Sequence, residues 1–422
     1  MSVSLLTDRY ELTMVQAALA GGKADRPCVF EVFARHLPAG RRFGVVAGTA
    51  RVIEAIEAFR FSTEQLEYLA QAKIVDSATI DWLANYRFSG NVSGYREGEI
   101  YFGNSPVLTV EGTFAEAVIL ETVVLSILNF DSAVASAGAR MRSAAAGRFL
   151  AEMGSRRTHE QAAVAAARAA YLVGFDATSN LQAGAQYGIP TMGTSAHSFT
   201  LLHDSEDQAF KAQLSALGNN TTLLVDTYDV ERAVRKAVEL SDGLIGAVRL
   251  DSGDLVQSAI EVRSLLDSLG AKHTKITVTS DLDEYTIAAL GQAPVDSYGV
   301  GTSLVTGSGY PTAGFVYKLV SHFDGENWIE VAKKSANKAS RGGKKQATRQ
   351  LEGGKAVKEL IGAAGQGREL QVNLISNGKS LQSDQKQMLL DARLHHKAAL
   401  AELPAAALRL SRGEPAIPSE FV

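Results

Sequence analysis

Residues 222–254 read TLLVDTYDVERAVRKAVELSDGLIGAVRLDSGD. A short apolar run over 222–226 is followed by a helix-patterned stretch over 230–240 and a second apolar run over 245–250. Each run ends on acidic and hydroxyl residues, Asp226-Thr227-Tyr228-Asp229 and Asp251-Ser252-Gly253-Asp254. A strand, a helix and a second strand in succession imply parallel strands joined by a helical crossover. The same texture extends in both directions. Strands are expected at 149–153, 171–176, 191–195, 275–280 and 297–301, and helices at 160–170, 206–217, 255–269 and 283–290. Six or seven such units predict a closed or nearly closed β/α barrel, with a doubly wound open sheet as the alternative.

The residues that follow each strand define a site. The first strand is trailed by Gly154-Ser155-Arg156-Arg157 and the second by Thr178-Ser179-Asn180. Later strands end in Ser280-Asp281 and Gly301-Thr302-Ser303. β/α barrels carry their active sites at strand C-termini, so this pattern locates a site without naming a reaction. The stretch GIPTMGTSAHSF, 188–199, reads as a strand that delivers His197 to a rim of small residues, with Ser198 beside it. An imidazole can act as nucleophile or base near neutral pH. Asp226, on a neighbouring strand end, is the candidate carboxylate to fix its tautomer.

Arg156, Arg157 and Arg249 can each clamp a carboxylate or phosphate. Asp251 and Asp254 suit ribose hydroxyls or Mg²⁺-bound waters. The Gly-rich stretches 299–309 and 341–343 can turn backbone N–H groups toward a phosphate. Neither the GxxxxGK[ST] loop nor the dinucleotide GxGxxG is present, so ordinary P-loop and dehydrogenase readings lose support. The pieces suit a polyphosphorylated ribose, a small anionic ring and a histidine.

Both flanks differ from the barrel pattern. Thr7 is a plausible N-cap for a helix over Tyr10–Ala20, residues 28–36 alternate like a strand, and 48–88 look helical. Short strands fill 90–114, and an Ala- and Ser-rich helix is expected over 116–147. Residues 314–332 alternate again, and 383–410 look helical. The basic stretch KKSANKASRGGKKQATR, 333–349, is either a solvated loop or an anion-binding flap. The expected division is a β-rich α+β domain from 1–115 plus 314–422, and an irregular β/α barrel over 116–313.

The chain has 422 residues and a formal charge of −4, which gives no drive toward nucleic acid or an anionic membrane. Its single cysteine, Cys28, excludes an intrachain disulfide and a multi-Cys zinc cluster, and fits a reducing cytoplasm. The N-terminus lacks the basic start and apolar core of a secretory signal. The apolar run around 115–128 is interrupted by Glu116, Glu121 and Ser126, and is expected to be too short and too polar to span a bilayer.

LLTDRYELTM (5–14), GTSAHSF (193–199), LDSGDL (250–255), SDLDE (280–284) and GVGTSLVTG (299–307) stand in the order found in nicotinate phosphoribosyltransferases. The chain resembles that family from end to end. The resemblance implies the fold of the type II phosphoribosyltransferases: an irregular barrel and a discontinuous β-rich domain. It implies that nicotinate and phosphoribosyl pyrophosphate (PRPP) yield nicotinate mononucleotide and pyrophosphate, a step of NAD biosynthesis coupled to ATP and using Mg²⁺. By the same resemblance His197 is phosphorylated and later hydrolysed, while Tyr10, Arg249 and Ser198 hold nicotinate. Tyr10 would reach in from the neighbouring subunit of a homodimer. Asp251 would hold the ribose hydroxyls, and Ser280, Asp281, Gly301 and Thr302 the phosphate side.

Ser179 stands where nicotinamide-using relatives carry an aspartate; a serine does not repel a carboxylate. The cysteine cluster that binds zinc near the C-terminus of some members has no counterpart, and no metal held by protein ligands alone is expected. The alternatives are a nicotinamide-using enzyme and a catalytically inactive nucleotide-binding relative.

Overall fold

The computed structural model describes residues 3–333, 341–362 and 367–422. Six short strands form one parallel sheet in the order Ala177–Thr178, Phe149–Glu152, Ser297–Val300, Lys275–Val278, Ala247–Leu250, Thr222–Leu224. The first of these along the chain, Phe149–Glu152, pairs with the last, Ser297–Val300. A ring of strands requires that pairing, and a doubly wound sheet lacks it. The ring is open between Ala177–Thr178 and Thr222–Leu224, the two edges of the sheet. The fold is therefore an irregular β/α barrel.

Two expected strands are displaced. The Glu160–Leu172 helix runs through the start of 171–176, and the strand is only Ala177–Thr178. Where 191–195 was expected as a strand, a single bridge joins Thr191 to Thr178. The remaining five strands stand within their expected ranges, each shortened by one or two residues.

The strands are short and largely buried on both faces. Leu150, Val248, Leu250, Ile276, Val278 and Val300 lie wholly inside, and each contributes about 1.5–3 kcal/mol by leaving water. Gly299 lets neighbours close in, since a Cβ there would sit 2.6 Å from Met153 Sδ and 2.6 Å from Thr279 Cγ2. Several polar residues after the strands cap the next helix. Asp229 accepts from Arg232 N at 2.8 Å, Asp254 from Gln257 N at 3.1 Å, and Asp283 from Thr286 N at 2.7 Å. Each satisfies an N–H that the first helical turn leaves open.

The chain divides into Met1–Ser136 with Tyr310–Val422, and Ala137–Gly309. The first break lies inside the Glu121–Ala144 helix, which the sequence reading placed wholly in the barrel. Its first half is tied to the N-terminal residues: Asp131 pairs with Arg51 at 2.6 Å, and Ser132 Oγ donates to Ala47 O at 3.2 Å.

The discontinuous unit holds a seven-stranded sheet in which Pro27–Ala34 lies antiparallel between Phe315–Phe323 and Leu108–Thr113. The unit also holds a four-stranded sheet, Arg368–Glu369, Gln346–Glu352, Lys355–Gly362 and Ser419–Phe421, and a two-stranded one, Gly44–Val45 with Ile100–Tyr101. Arg349, wholly buried, pairs at 2.7 Å with both Glu99 and Glu359. Such a buried charge is tolerable only with both partners in place.

The N-terminal helix is Arg9–Ala20 with Asp8, not Thr7, at its cap; the Thr7 hydroxyl donates to Ile119 O at 3.2 Å. The helix expected over 116–147 is two, Phe114–Val118 and Glu121–Ala144. By length and apolar composition Phe114–Ala144 is long enough to cross a bilayer, contrary to the sequence expectation, but 61% of its apolar window is buried inside the protein. Part of the basic stretch 333–349, residues 334–340, lies outside the described residues.

Candidate active site

At the C-terminal edge of the parallel sheet, Asp226 follows Thr222–Leu224 and Asp251 follows Ala247–Leu250. The Asp226 side chain is only 4% exposed. Its Oδ2 accepts from Asp251 N at 2.8 Å and from Ser252 Oγ at 2.7 Å. Its Oδ1 is buried without a hydrogen-bond partner among the described residues. One oxygen is thus committed to the neighbouring strand end, and the other is held ready for something else.

That free oxygen faces the imidazole. His197 Nε2 lies 3.9 Å from Asp226 Oδ1 and 3.9 Å from Asp251 Oδ2, while the His197 side chain is 40% exposed. These are ion-pair separations, too long for hydrogen bonds. The hydrogen bond is on the other nitrogen: Nδ1 lies 3.1 Å from Thr227 Oγ1. The expectation that a hydrogen bond to Asp226 fixes the tautomer is therefore corrected: the carboxylate stops short at 3.9 Å, and the ring's hydrogen bond is with the adjacent threonine hydroxyl. The ring is delivered differently too. His197 opens the short helix His197–Leu202, after the irregular 192–196, and does not end a strand. Around the loop there is room: a Cβ on Gly193 would meet nothing within 4 Å.

Arg249 reaches the same cluster from the Ala247–Leu250 strand. Its Nη1 donates to Thr194 Oγ1 and to Ser195 O, the latter at 3.0 Å, and its Nη2 lies 3.6 Å from Asp251 Oδ2. Asp251 Oδ1 accepts from Thr279 Oγ1. Five residues are thereby brought together: His197, Asp226, Thr227, Arg249 and Asp251.

Among the described residues, no side-chain hydrogen bond or ion pair joins the other expected residues to this cluster. Arg156 and Arg157 sit exposed in the turn after Phe149–Glu152, with no side-chain partner among the described residues. Ser179 is exposed after Ala177–Thr178, its N–H donating to Glu152 O at 2.8 Å. Ser198 is exposed beside His197, and Asp281 and Thr302 are exposed at their strand ends. Ser280 has φ +113°, a conformation costly for a residue with a side chain. Gly301 caps the Thr302–Val305 turn.

Asp254 caps the helix Leu255–Ser268. Tyr10 belongs to the other unit, 45% exposed on the Arg9–Ala20 helix. Partial burial and the nearby Glu121 and Glu11 carboxylates push its hydroxyl up to about 12. Thr227, Thr194, Thr279 and Glu152 were not picked out by sequence. Thr227 adjoins Asp226, and Glu152 is a lone acid closing an apolar strand; those were the available signals.

An open ring of parallel strands with an imidazole, two carboxylates and arginines along its C-terminal edge defines a β/α-barrel enzyme that handles anionic substrates. Residues 5–129 match the model of the nicotinate phosphoribosyltransferase N-terminal domain, and residues 149–363 match that of the nicotinate phosphoribosyltransferase family. The chain is 54% identical to nicotinate phosphoribosyltransferase pncB1 of Mycobacterium tuberculosis, over 99% of this chain and 95% of that protein. It is 37% identical to nicotinate phosphoribosyltransferase of Bacillus subtilis, over 80% of this chain and 70% of that one. The crystal structure of human nicotinic acid phosphoribosyltransferase shares the fold, with a TM-score of 0.82 at 24% identity over 98% of this chain and 97% of that one. The chain belongs to the nicotinate phosphoribosyltransferase family, and is an enzyme of nicotinate phosphoribosyl transfer in NAD biosynthesis.

Proposed function

We propose that the chain transfers the phosphoribosyl group of PRPP to nicotinate and couples the step to ATP through a phosphohistidine at His197. The observation that supports this is the half-exposed imidazole, held at Nδ1 by Thr227 with Nε2 3.9 Å from two carboxylates. In the transfer, the nicotinate ring nitrogen attacks C1 of the ribose. The N–C1 bond forms as the C1–O bond breaks, and pyrophosphate leaves with the electron pair. No proton need move, so the protein's task is alignment and neutralisation of charge.

Arg156 and Arg157, unpartnered and exposed, are the better candidates for the ring carboxylate and the phosphates. Arg249 is already engaged with Thr194, Ser195 and Asp251. Asp251 takes the ribose hydroxyls, while Ser280, Asp281, Gly301 and Thr302 line the phosphate side. Asp226 Oδ1 and Asp251 Oδ2 are hard oxygen donors of the kind Mg²⁺ takes together with substrate phosphates. Bound there, the ion would offset the charge of the pyrophosphate.

In the coupled cycle the γ-phosphoryl passes from ATP to an imidazole nitrogen of His197 as ADP leaves, and water later removes it as phosphate. The cycle drives transfer only if the two enzyme forms differ in affinity for substrates and products. We further place Ser198 and a partner subunit's tyrosine, the residue numbered Tyr10, at the nicotinate ring in a cytoplasmic homodimer, without nucleic-acid or membrane partners. Ser179 presents no carboxylate to repel nicotinate. Turnover of nicotinate and nicotinamide at equal concentration tests the choice: a preference of about tenfold or more for nicotinate is expected, and preference for the amide overturns it.

A further inference from the structure

Glu152, the last residue of the Phe149–Glu152 strand, is wholly buried, and no lysine, arginine or histidine pairs with it among the described residues. A carboxyl in that position is costly unless both oxygens are satisfied. Here neutral donors satisfy it: Gly154 N donates to Oε1, and Thr178 Oγ1 donates to Oε2 at 2.5 Å. Burial pushes the carboxyl above the usual range.

The partners belong to different loops. Thr178 Oγ1 also accepts from Asn180 N at 3.0 Å. The Glu152 carbonyl accepts from Ser179 N at 2.8 Å. Asn180 Nδ2 donates to Ser155 Oγ at 3.0 Å, a second tie between the same two turns. Gly154 is seated against a third segment: a Cβ there would lie 2.3 Å from Val305 Cγ1 and 3.3 Å from Gly301 O. The turns bearing Arg156 and Arg157 and Ser179 thus converge on one buried carboxyl group, and the turn of Gly301 packs against Gly154 beside it.

We propose that Glu152 is a positioning residue for phosphoribosyl transfer: its two oxygens lock the turn that carries Arg156 and Arg157 to the turn that carries Ser179. The proposal rests on the substrate roles given to those residues above. The preference for a carboxyl group follows from the donors that face it: a glutamine offers its oxygen to only one of them, and its NH₂ either meets the Gly154 N–H or forces the Thr178 hydroxyl to turn its hydrogen away.

The test is steady-state nicotinate phosphoribosyl transfer without ATP, with thermal melts alongside, for Glu152→Gln, Thr178→Val, Thr178→Ser and the Gln/Val double variant. Loosened arginines should raise KM for nicotinate or PRPP by about fivefold or more, with kcat changed by less than about threefold. Thr178→Ser should restore KM to within about twofold, and the double variant should be no worse than the worse single. KM values unchanged in the folded single variants, or effects that multiply in the double, would overturn it. If Glu152→Gln does not fold, Thr178→Val against Thr178→Ser decides alone. Arg156→Ala and Arg157→Ala in the parent protein separate the two claims. Unchanged KM in both would remove the arginines' substrate role, while the Glu152–Thr178 coupling would still be read from the double variant.

Discussion

Arg249 Nη1 donates to the main-chain oxygen of Ser195 at 3.0 Å, two residues before His197. The same nitrogen holds the Thr194 hydroxyl. The arginine therefore fastens the irregular loop that presents the imidazole to the strand that presents Asp251. Its place in the cluster is explained by that fastening without any bound anion.

Arg249→Ala should then act on the histidine as well as on binding. We expect labelling of His197 by ATP and nicotinate turnover to fall together, by about 10²-fold, because small misplacements of a reacting group cost that much. Initial rates and label incorporation measured on one preparation check it; a rise in nicotinate KM with labelling unchanged would return Arg249 to a purely ligand-binding role.

Thr227 is the hydrogen-bond partner of His197 Nδ1, so its hydroxyl sets the ring's orientation. Thr227→Val should slow His197 phosphorylation by about tenfold, and Thr227→Ser should keep most of the rate. Equal rates in the valine and serine variants would show that the hydroxyl has no such part.

Glu11 is buried beside Thr122, whose N–H and hydroxyl it accepts at 2.8 and 2.6 Å. Burial, the dominant cause, raises its carboxyl to about 7 from 4.5. Between those values the folded state binds more protons than the unfolded chain. The stability contributed by protonated Glu11 is therefore complete below about pH 4.5 and lost as pH rises through about 7. Glu11→Gln should gain stability relative to the parent at pH 8, on the order of 2 kcal/mol after discounting for partial solvent access, and little at pH 5. Denaturant melts at the two pH values measure the difference.

The barrel strands are readable in the sequence because short apolar runs such as AVRL and KITV, buried on both faces, end abruptly in polar residues. The helices between them are long enough for their period to show. What misleads is short or continuous. Tyr171 and Leu172 extend an alanine-rich helix, leaving Ala177–Thr178 too brief to register as a strand. The six residues of His197–Leu202 are too few to display a helical period, so the preceding apolar residues pass for a strand. The break between Val118 and Glu121 falls at Ile119 and Leu120, apolar residues that continue the pattern of both helices.

Asp226 and Asp251 are visible as acids at strand ends. Which acids cap helices and which face the histidine is decided by tertiary geometry, and spacing does not carry it. The hydroxyl of Thr227 meets His197 across thirty positions of chain, and nothing local announces it.

The most direct measurement is mass and label analysis of the protein after brief reaction with γ-labelled ATP and Mg²⁺. The account predicts one acid-labile, alkali-stable phosphoryl group per chain on the peptide containing His197, absent from His197→Ala. It also predicts that nicotinate-stimulated ATP hydrolysis is lost in that variant while some uncoupled transfer persists. Undiminished ATP hydrolysis by His197→Ala, or label on another residue, would contradict it.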